Sequence, residues 1–290
     1  MTGLTEETLD ALRKHLDPED RSVVPDVLNV GFSNVVIRFG QSLVRLARNA
    51  QAAAGHRREA AILPVLVDRL TVAVPAPIRL LAAEPTMPHG AAIYPFLPGS
   101  VMAPDHVQRW PGIAGDIGRA LFSLHGTDET LFPPGALPTL DPIAELHKQE
   151  RAIGWWLQAR LSERRWHRLR SLWERSIVVF STSERAVCHA DAWYGNMVVQ
   201  EGALVGLLDW ENACVADPAV DFAPQQYLGR AAAHEVLETY VALSGRTPPL
   251  QDRIECYRLL REVGGVAYVL GEGMEDEYED ALAKVTRLLD

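Results

Sequence analysis

Residues 188–223 read CHADAWYGNMVVQEGALVGLLDWENACVADPAVDFA, and no other stretch restricts the fold of this chain as much. Two short runs rich in valine and leucine, Asn196–Gln200 and Ala203–Leu208, flank Glu201-Gly202, a dipeptide suited to a tight hairpin turn. Polar groups stand at the edges of these runs. His189, Asp191 and Asn196 precede the first strand, and Asp209 follows the second. A hairpin turns the chain back on itself, so Asp209 is predicted to return beside the Asp191–Asn196 loop. Whatever surrounds this hairpin has to hold two carboxylates and an amide at one place.

The elements before it are legible. Thr5 to Leu16 reads as a helix, capped by Thr5, with Glu6 and Glu7 in its first turn and Leu9, Leu12 and Leu16 on one face. Val27–Val30, Asn34–Phe39, Ser42–Ala47, Ile78–Leu81 and Ala91–Phe96 are predicted strands of an antiparallel sheet. A helix is expected from His56 to Leu63, with Pro64 starting a second helical segment. Tyr94-Pro95-Phe96-Leu97-Pro98-Gly99 interrupts the pattern and reads as a linker. Helices are then expected over Ile113–His125, from Asp141-Pro142 to about Leu161, and over Ser162–Phe180, and again after Asp221. The fold class is therefore α+β. Residues 1–98 form a small strand-rich lobe, and residues 99–290 form a larger helical lobe into which the hairpin is inserted.

With 290 residues, 48% of them hydrophobic and 23% charged, the chain has the material for a sizeable core. Its acidic N-terminus, MTGLTEETLD, lacks the apolar run of a signal peptide, and no stretch reaches the length of a membrane span, so a cytoplasmic location is expected. Cys188, Cys214 and Cys256 form no CxxC pair and suggest neither a disulfide nor a zinc framework. Charge is uneven. Residues 1–98 and 99–180 are nearly balanced, whereas residues 181–290 hold 8 basic and 19 acidic side chains. That excess disfavours nucleic acid as a partner and is compatible with a cationic ligand.

The chemistry follows from the hairpin. An amide and a carboxylate converging on one point are hard oxygen ligands for Mg²⁺, and a further carboxylate stays available to take a proton from a hydroxyl. Those are the parts of phosphoryl transfer: a loop Asp as base, an Asn five residues on, and a later Asp on the metal. His189-Ala-Asp191-(x4)-Asn196, Leu207-Leu208-Asp209-Trp210 and Asp217-Pro218-(x2)-Asp221 together resemble the aminoglycoside and macrolide phosphotransferase family, which has a protein-kinase-like two-lobe fold. Upstream, Leu43-Val-Arg45-Leu-Ala-Arg48 resembles its phosphate-binding strand, Arg58-Glu59 the helix with the acidic partner, and Tyr94–Gly99 its hinge. Gly273–Tyr278 resembles a segment near the C-terminus of several members.

By that resemblance Asp191 is the catalytic base or the group that orients the hydroxyl, Asn196 and Asp209 hold Mg²⁺, His189 braces the loop, and Asp221 is structural. A purine nucleoside triphosphate, ATP or GTP, is expected between the lobes, near Ser33, Arg45, Glu59, Tyr94 and Phe96. The segment Gly31-Phe32-Ser33-Asn34 either covers the phosphates or is an ordinary turn. Two positions depart from the family. Ala190 stands where glycine is usual, and Arg45 where lysine is usual. The chain has only three lysines, Lys14, Lys148 and Lys284, none of them in the predicted sheet. By strand parity Arg45 shares a face with Leu43 and Ala47, opposite Arg48. The resemblance implies transfer of the γ-phosphoryl group to a hydroxyl of a small-molecule antibiotic. The acidic C-terminal third favours an aminoglycoside-like cation. A macrolide, a metabolic amino alcohol or sugar, and a nucleotide-binding pseudoenzyme remain the alternatives. Trp193 and Tyr194 either line an apolar acceptor wall or pack into the core.

Overall fold

A computed structural model describes residues 4–30, 33–182, 184–245 and 250–290. The N-terminal part contains α1 (Glu6–Arg13), α2 (Pro18–Arg21), β1 (Asp26–Val30), β2 (Asn34–Phe39), β3 (Ser42–Ala47), α3 (Ala50–Leu66), β4 (Arg79–Leu81) and β5 (Ala91–Pro95). The five strands form one antiparallel sheet in the order β1-β2-β3-β5-β4. Period-2 alternation sorts its faces. Val35, Ile37, Phe39, Val44 and Leu46 turn into a compact core with Leu9, Leu12 and Leu16. Val36, Arg38, Leu43 and Arg45 point the other way and line a cavity. Thr5 caps α1 by accepting from the Thr8 amide at 3.1 Å.

The expected break at Pro64 does not occur. One helix runs from Ala50 through Pro64 to Leu66. Pro64 lies two residues from its end, so the missing N–H removes one bond near the terminus instead of splitting the helix. Its start is set by Asn49, whose side chain accepts from the Ala52 amide at 2.8 Å. The alanine-rich first turns carry no apolar periodicity, which is why His56 looked like the beginning. The far end of α3 buries Ile62, Leu63 and Leu66 in the main core of the helical part, together with Val72 and Val74.

Beyond the sheet come β6 (Ser100–Val101), α4 (His106–Arg109), α5 (Gly112–His125), α6 (Pro142–Gln158) and α7 (Glu163–Phe180). Asp141 and Ser162 cap α6 and α7. The hairpin region holds β7 (Ala186–Cys188), β8 (Met197–Gln200), β9 (Ala203–Leu207) and β10 (Cys214–Ala216). Glu201 and Gly202, at φ 51° and 83°, make the turn between β8 and β9. Two short strands went unpredicted. β6 pairs with β8, and β10 pairs with β7. The chain closes with α8 (Ala219–Phe222), α9 (Arg230–Ser244), α10 (Leu250–Gly271) and α11 (Tyr278–Leu289). Among the described residues, no helix is long and apolar enough to cross a membrane.

One side chain fixes α2 to the sheet. Asp20 accepts from the Gln41 amide at 3.1 Å and from Ser42 Oγ at 2.6 Å. Between β2 and β3, Gly40 has φ 56°, and a Cβ there would lie 2.2 Å from Asp20 Oδ1. Gly40→Ala is therefore expected to lower the unfolding free energy by about 2 kcal/mol or more, from left-handed strain plus overpacking. Denaturant unfolding checks it, and an unchanged midpoint would contradict the seating of Asp20 on this turn.

Candidate active site

The loop between β7 and β8 carries Asp191 and Asn196, and its backbone is held from below. Asp221 is fully buried and accepts from the amides of His189 at 2.9 Å and Ala190 at 2.7 Å. Its Oδ2 also meets His125 Nε2 at 3.0 Å. These bonds hold Ala190 at φ 62°, a left-handed conformation that glycine adopts freely and alanine only at a cost. His189 braces the loop. Its Nε2 donates to the Leu208 carbonyl at 2.8 Å, which leaves Nδ1 to accept from the Asp191 amide at 3.3 Å. The imidazole packs 4.5 Å from the Trp210 ring.

The hairpin does return the chain, with the Leu208 amide donating to the Asn196 carbonyl at 2.7 Å. Asp209 follows in a left-handed conformation of its own, φ 61°. Asn196 Nδ2 donates to the Asp191 carbonyl at 2.9 Å and to its Oδ2 at 3.0 Å. The amide oxygen of Asn196 is thus the atom left for a cation. Asp191 Oδ1 is taken by Arg261 Nη1, 2.8 Å away on α10.

Across from the hairpin, Arg45 Nη1 reaches both Glu59 oxygens, at 3.0 and 3.1 Å, and Nη2 reaches Asp209 Oδ1 at 3.2 Å. Glu59 is buried and also accepts from the Tyr94 hydroxyl and from the Trp210 amide at 3.1 Å. Burial works against charge on Arg45, but Glu59, Tyr94, Asp209 and Glu211 outweigh it and keep the guanidinium protonated. Burial and Arg45 push His56 down to about 4, so it is neutral where it bonds Asn34 Oδ1 at 2.9 Å. Burial, and then Asp209, raise the Glu211 carboxyl above its ordinary range.

Two cavities meet at this loop. One, of about 700 Å³, lies between the sheet and the hairpin and is lined by Ser33, Arg45, Tyr94, Phe96, Asn196 and Asp209, among others. It therefore gathers six of the eight residues that sequence reasoning named. Glu59 stands behind Arg45, and Tyr94 commits its hydroxyl to Glu59. Phe96 lies under the Arg38 guanidinium, 3.7 Å from the ring centre, and gives its own amide to Gln41. Of the expected phosphate-covering segment, Gly31 and Phe32 fall outside the described residues. Hard oxygens from Asn196 and Asp209 on one wall suit a Mg²⁺ ion.

The second cavity, of about 780 Å³, holds Asp191. Its aromatic wall is Tyr227, Tyr257 and Tyr268. Of the two alternatives open for Trp193 and Tyr194, the wall is not the one found: neither lines this cavity, and they pack against each other at 4.8 Å. From the acidic segment 272–280 only Glu277 and Asp280 line it. Sequence reasoning also missed Glu211, Tyr227 and Arg261. The one local signal was an arginine three residues before Gly264-Gly265 on an otherwise helical pattern.

Among solved structures, the GDP complex of wild-type aminoglycoside 2'-phosphotransferase-IIIa superposes with TM-score 0.85 at 16% identity, covering 98% of this chain and 97% of that one. The GDP and kanamycin complex of APH(2")-IIia gives 0.83 at 15%, with the same coverage. The apoenzyme of macrolide 2'-phosphotransferase MphH from Brachybacterium faecium gives 0.67 at 20%, covering 97% and 98%. At these identities the likeness is one of fold, and the fold is the kinase-like one of antibiotic phosphotransferases. The family model of the phosphotransferase enzymes matches residues 26–260, across the sheet, the hairpin and the first half of α10, and the chain accordingly belongs to the phosphotransferase enzyme family.

Proposed function

We propose that this phosphotransferase moves the γ-phosphoryl group of a purine nucleoside triphosphate, ATP or GTP, to a hydroxyl of a small-molecule antibiotic. The observation that carries the reading is the position of one loop between two cavities. Asn196 and Asp209 face the cavity against the sheet, and Asp191 faces the other. A phosphoryl group delivered along that loop leaves a donor site and arrives beside a carboxylate. In this reading residues 1–98 supply most of the donor site, and residues 99–290 supply the catalytic loop and the acceptor site.

Mg²⁺, held by Asn196 and Asp209, would neutralise charge on the phosphates. The protein's own groups do the rest. Arg45, paired with Glu59 through Nη1 and with Asp209 through Nη2, sets its positive charge against the phosphates. Asp191, fixed at one oxygen by Asn196 and at the other by Arg261, orients the acceptor hydroxyl and receives its proton. His189 keeps the Asp191 amide in place. The acidic C-terminal third supports an aminoglycoside-like cation through long-range attraction. The three tyrosines in the acceptor cavity support an acceptor with apolar surface of the macrolide kind.

Asp191→Asn is expected to cut turnover by a factor of about 10³ or more while nucleotide affinity stays nearly constant. Asp209→Ala should instead weaken binding of the Mg²⁺–nucleotide complex itself. Steady-state kinetics beside calorimetric titration separates the two, and near wild-type turnover in Asp191→Asn would sink the assignment. For Arg45, alanine should raise the nucleotide KM or lower kcat by about tenfold or more, and Arg48→Ala should do less. Arg45→Lys keeps the charge and loses the fork. A gain of activity in that variant would make the arginine a tolerated departure and not an adapted one.

A further inference from the structure

The helix α10 carries one continuous stripe on the Asp191 cavity. Arg261, Gly264, Gly265 and Tyr268 fall at helical spacings of three, four and seven, and all four line it. Gly264 allows Gln149 to pack close, since a Cβ there would come within 2.9 Å of its Nε2, while the space beside Gly265 is open. The stripe is thus a charged head followed by a recess.

Arg261 is built into place. Its guanidinium lies 5.8 Å from the centre of the Tyr227 ring. The Tyr227 hydroxyl donates to Glu262 Oε1 at 2.6 Å, and Glu262 is buried and also accepts from Gln226 at 2.8 Å. Burial disfavours the charge on Arg261, but Asp191 and Tyr227 more than compensate. The cation is therefore a permanent part of the cavity, with about a quarter of its side-chain surface open. A guanidinium has five N–H donors and no acceptor. One donor goes to Asp191 and another reaches the Tyr227 hydroxyl, so others remain for a molecule that approaches the same carboxylate.

We propose that Arg261 is a specificity-determining residue of the acceptor site, selecting acceptors whose reacting hydroxyl is flanked by an oxygen function, neutral or anionic, and not by an ammonium. The inference rests on reading Asp191 as the group that engages the acceptor. A hydroxyl within hydrogen-bond reach of Asp191 brings its neighbouring substituent next to Arg261. An ether, hydroxyl, carbonyl or carboxylate oxygen accepts a bond there. An ammonium offers only donors and meets a like charge at short range. The other cations on the wall do not change this, because Lys284 pairs with Asp280 at 2.7 Å and Arg58 donates to the Glu211 carbonyl at 2.6 Å. Amines elsewhere on the acceptor are unaffected, and Glu277 lines the same cavity for them.

The test uses the full-length enzyme, Mg²⁺ with ATP or GTP, and a panel of hydroxylated aminoglycosides, macrolides and peptide antibiotics. Products are found by mass spectrometry and the phosphate is mapped by NMR. The wild-type product is expected to carry its phosphate next to a carbon–oxygen bond. Arg261→Ala should lower kcat/KM for that acceptor by about 100-fold, mainly through KM, and leave nucleotide Kd unchanged. It should also gain, relative to wild type, on acceptors with an amine beside the hydroxyl. Arg261→Lys should restore part of the loss, and it serves as the second variant should the alanine form fail to fold. A wild-type product phosphorylated beside a protonated amine overturns the proposal, as does unchanged kcat/KM in Arg261→Ala. If neither form transfers to any acceptor while Asp191-dependent nucleotide hydrolysis persists, the role of Arg261 falls and the kinase reading stands. Loss of that hydrolysis as well takes both down.

Discussion

Glu59 is the carboxylate around which the site is assembled. It is 1% exposed, and a buried ionised carboxylate costs several kcal/mol unless its oxygens are satisfied. Here four bonds satisfy it: two from Arg45, one from the Tyr94 hydroxyl and one from the Trp210 amide. Those donors come from β3, from β5 and from the segment that follows β9. Satisfying one carboxylate therefore sets helix α3, the sheet and the functional hairpin at fixed distances. The same requirement suits an arginine at position 45. One nitrogen of the fork serves both Glu59 oxygens while the other reaches Asp209, a span that a single ammonium does not cover.

A second buried carboxylate does for the loop what Glu59 does for the cavity. Asp221 binds the consecutive amides of His189 and Ala190 that lead into the left-handed turn at Ala190. Ala190 and Asp209 are both non-glycine residues with positive φ, and each stands beside a cavity-lining carboxylate or is one. Such strain persists only where the surroundings overdetermine it. The surroundings are in place: Asp221 and His125 under Ala190, Arg45 and the Leu208–Asn196 bond around Asp209. Rigid backbone at these two points fixes where the short side chains of Asp191 and Asp209 stand.

Much of this was legible because it is local. The spans of β2 and β3 follow from alternation, the starts of α1, α6 and α7 from Thr5, Asp141 and Ser162, and the β8–β9 hairpin from Glu201-Gly202. The convergence of Asp191, Asn196 and Asp209 follows from that hairpin. What escaped notice depends on partners far along the chain. β6 and β10 are two and three residues long and exist only because β8 and β7 offer an edge. The pairing of Arg261 with Asp191 spans 70 residues and joins the β7–β8 loop to α10. No periodicity within α10 announces which of its charged residues turns inward toward the loop.

Net charge illustrates the same limit at the level of function. Residues 181–290 carry 19 acidic against 8 basic side chains, yet the acids that reach the Asp191 cavity are mostly engaged already. Asp191 is held by Arg261, Asp280 by Lys284, Glu145 by Lys148, and Glu262 by Tyr227 and Gln226. Screening confines exposed charge to a range of about 8–10 Å at ordinary ionic strength. The acidic surface therefore governs approach, and only the few groups in contact govern fit. A cation drawn to this molecule by its overall field still meets, beside Asp191, the guanidinium of Arg261. The long-range field and the contacts inside the cavity are set by different residues.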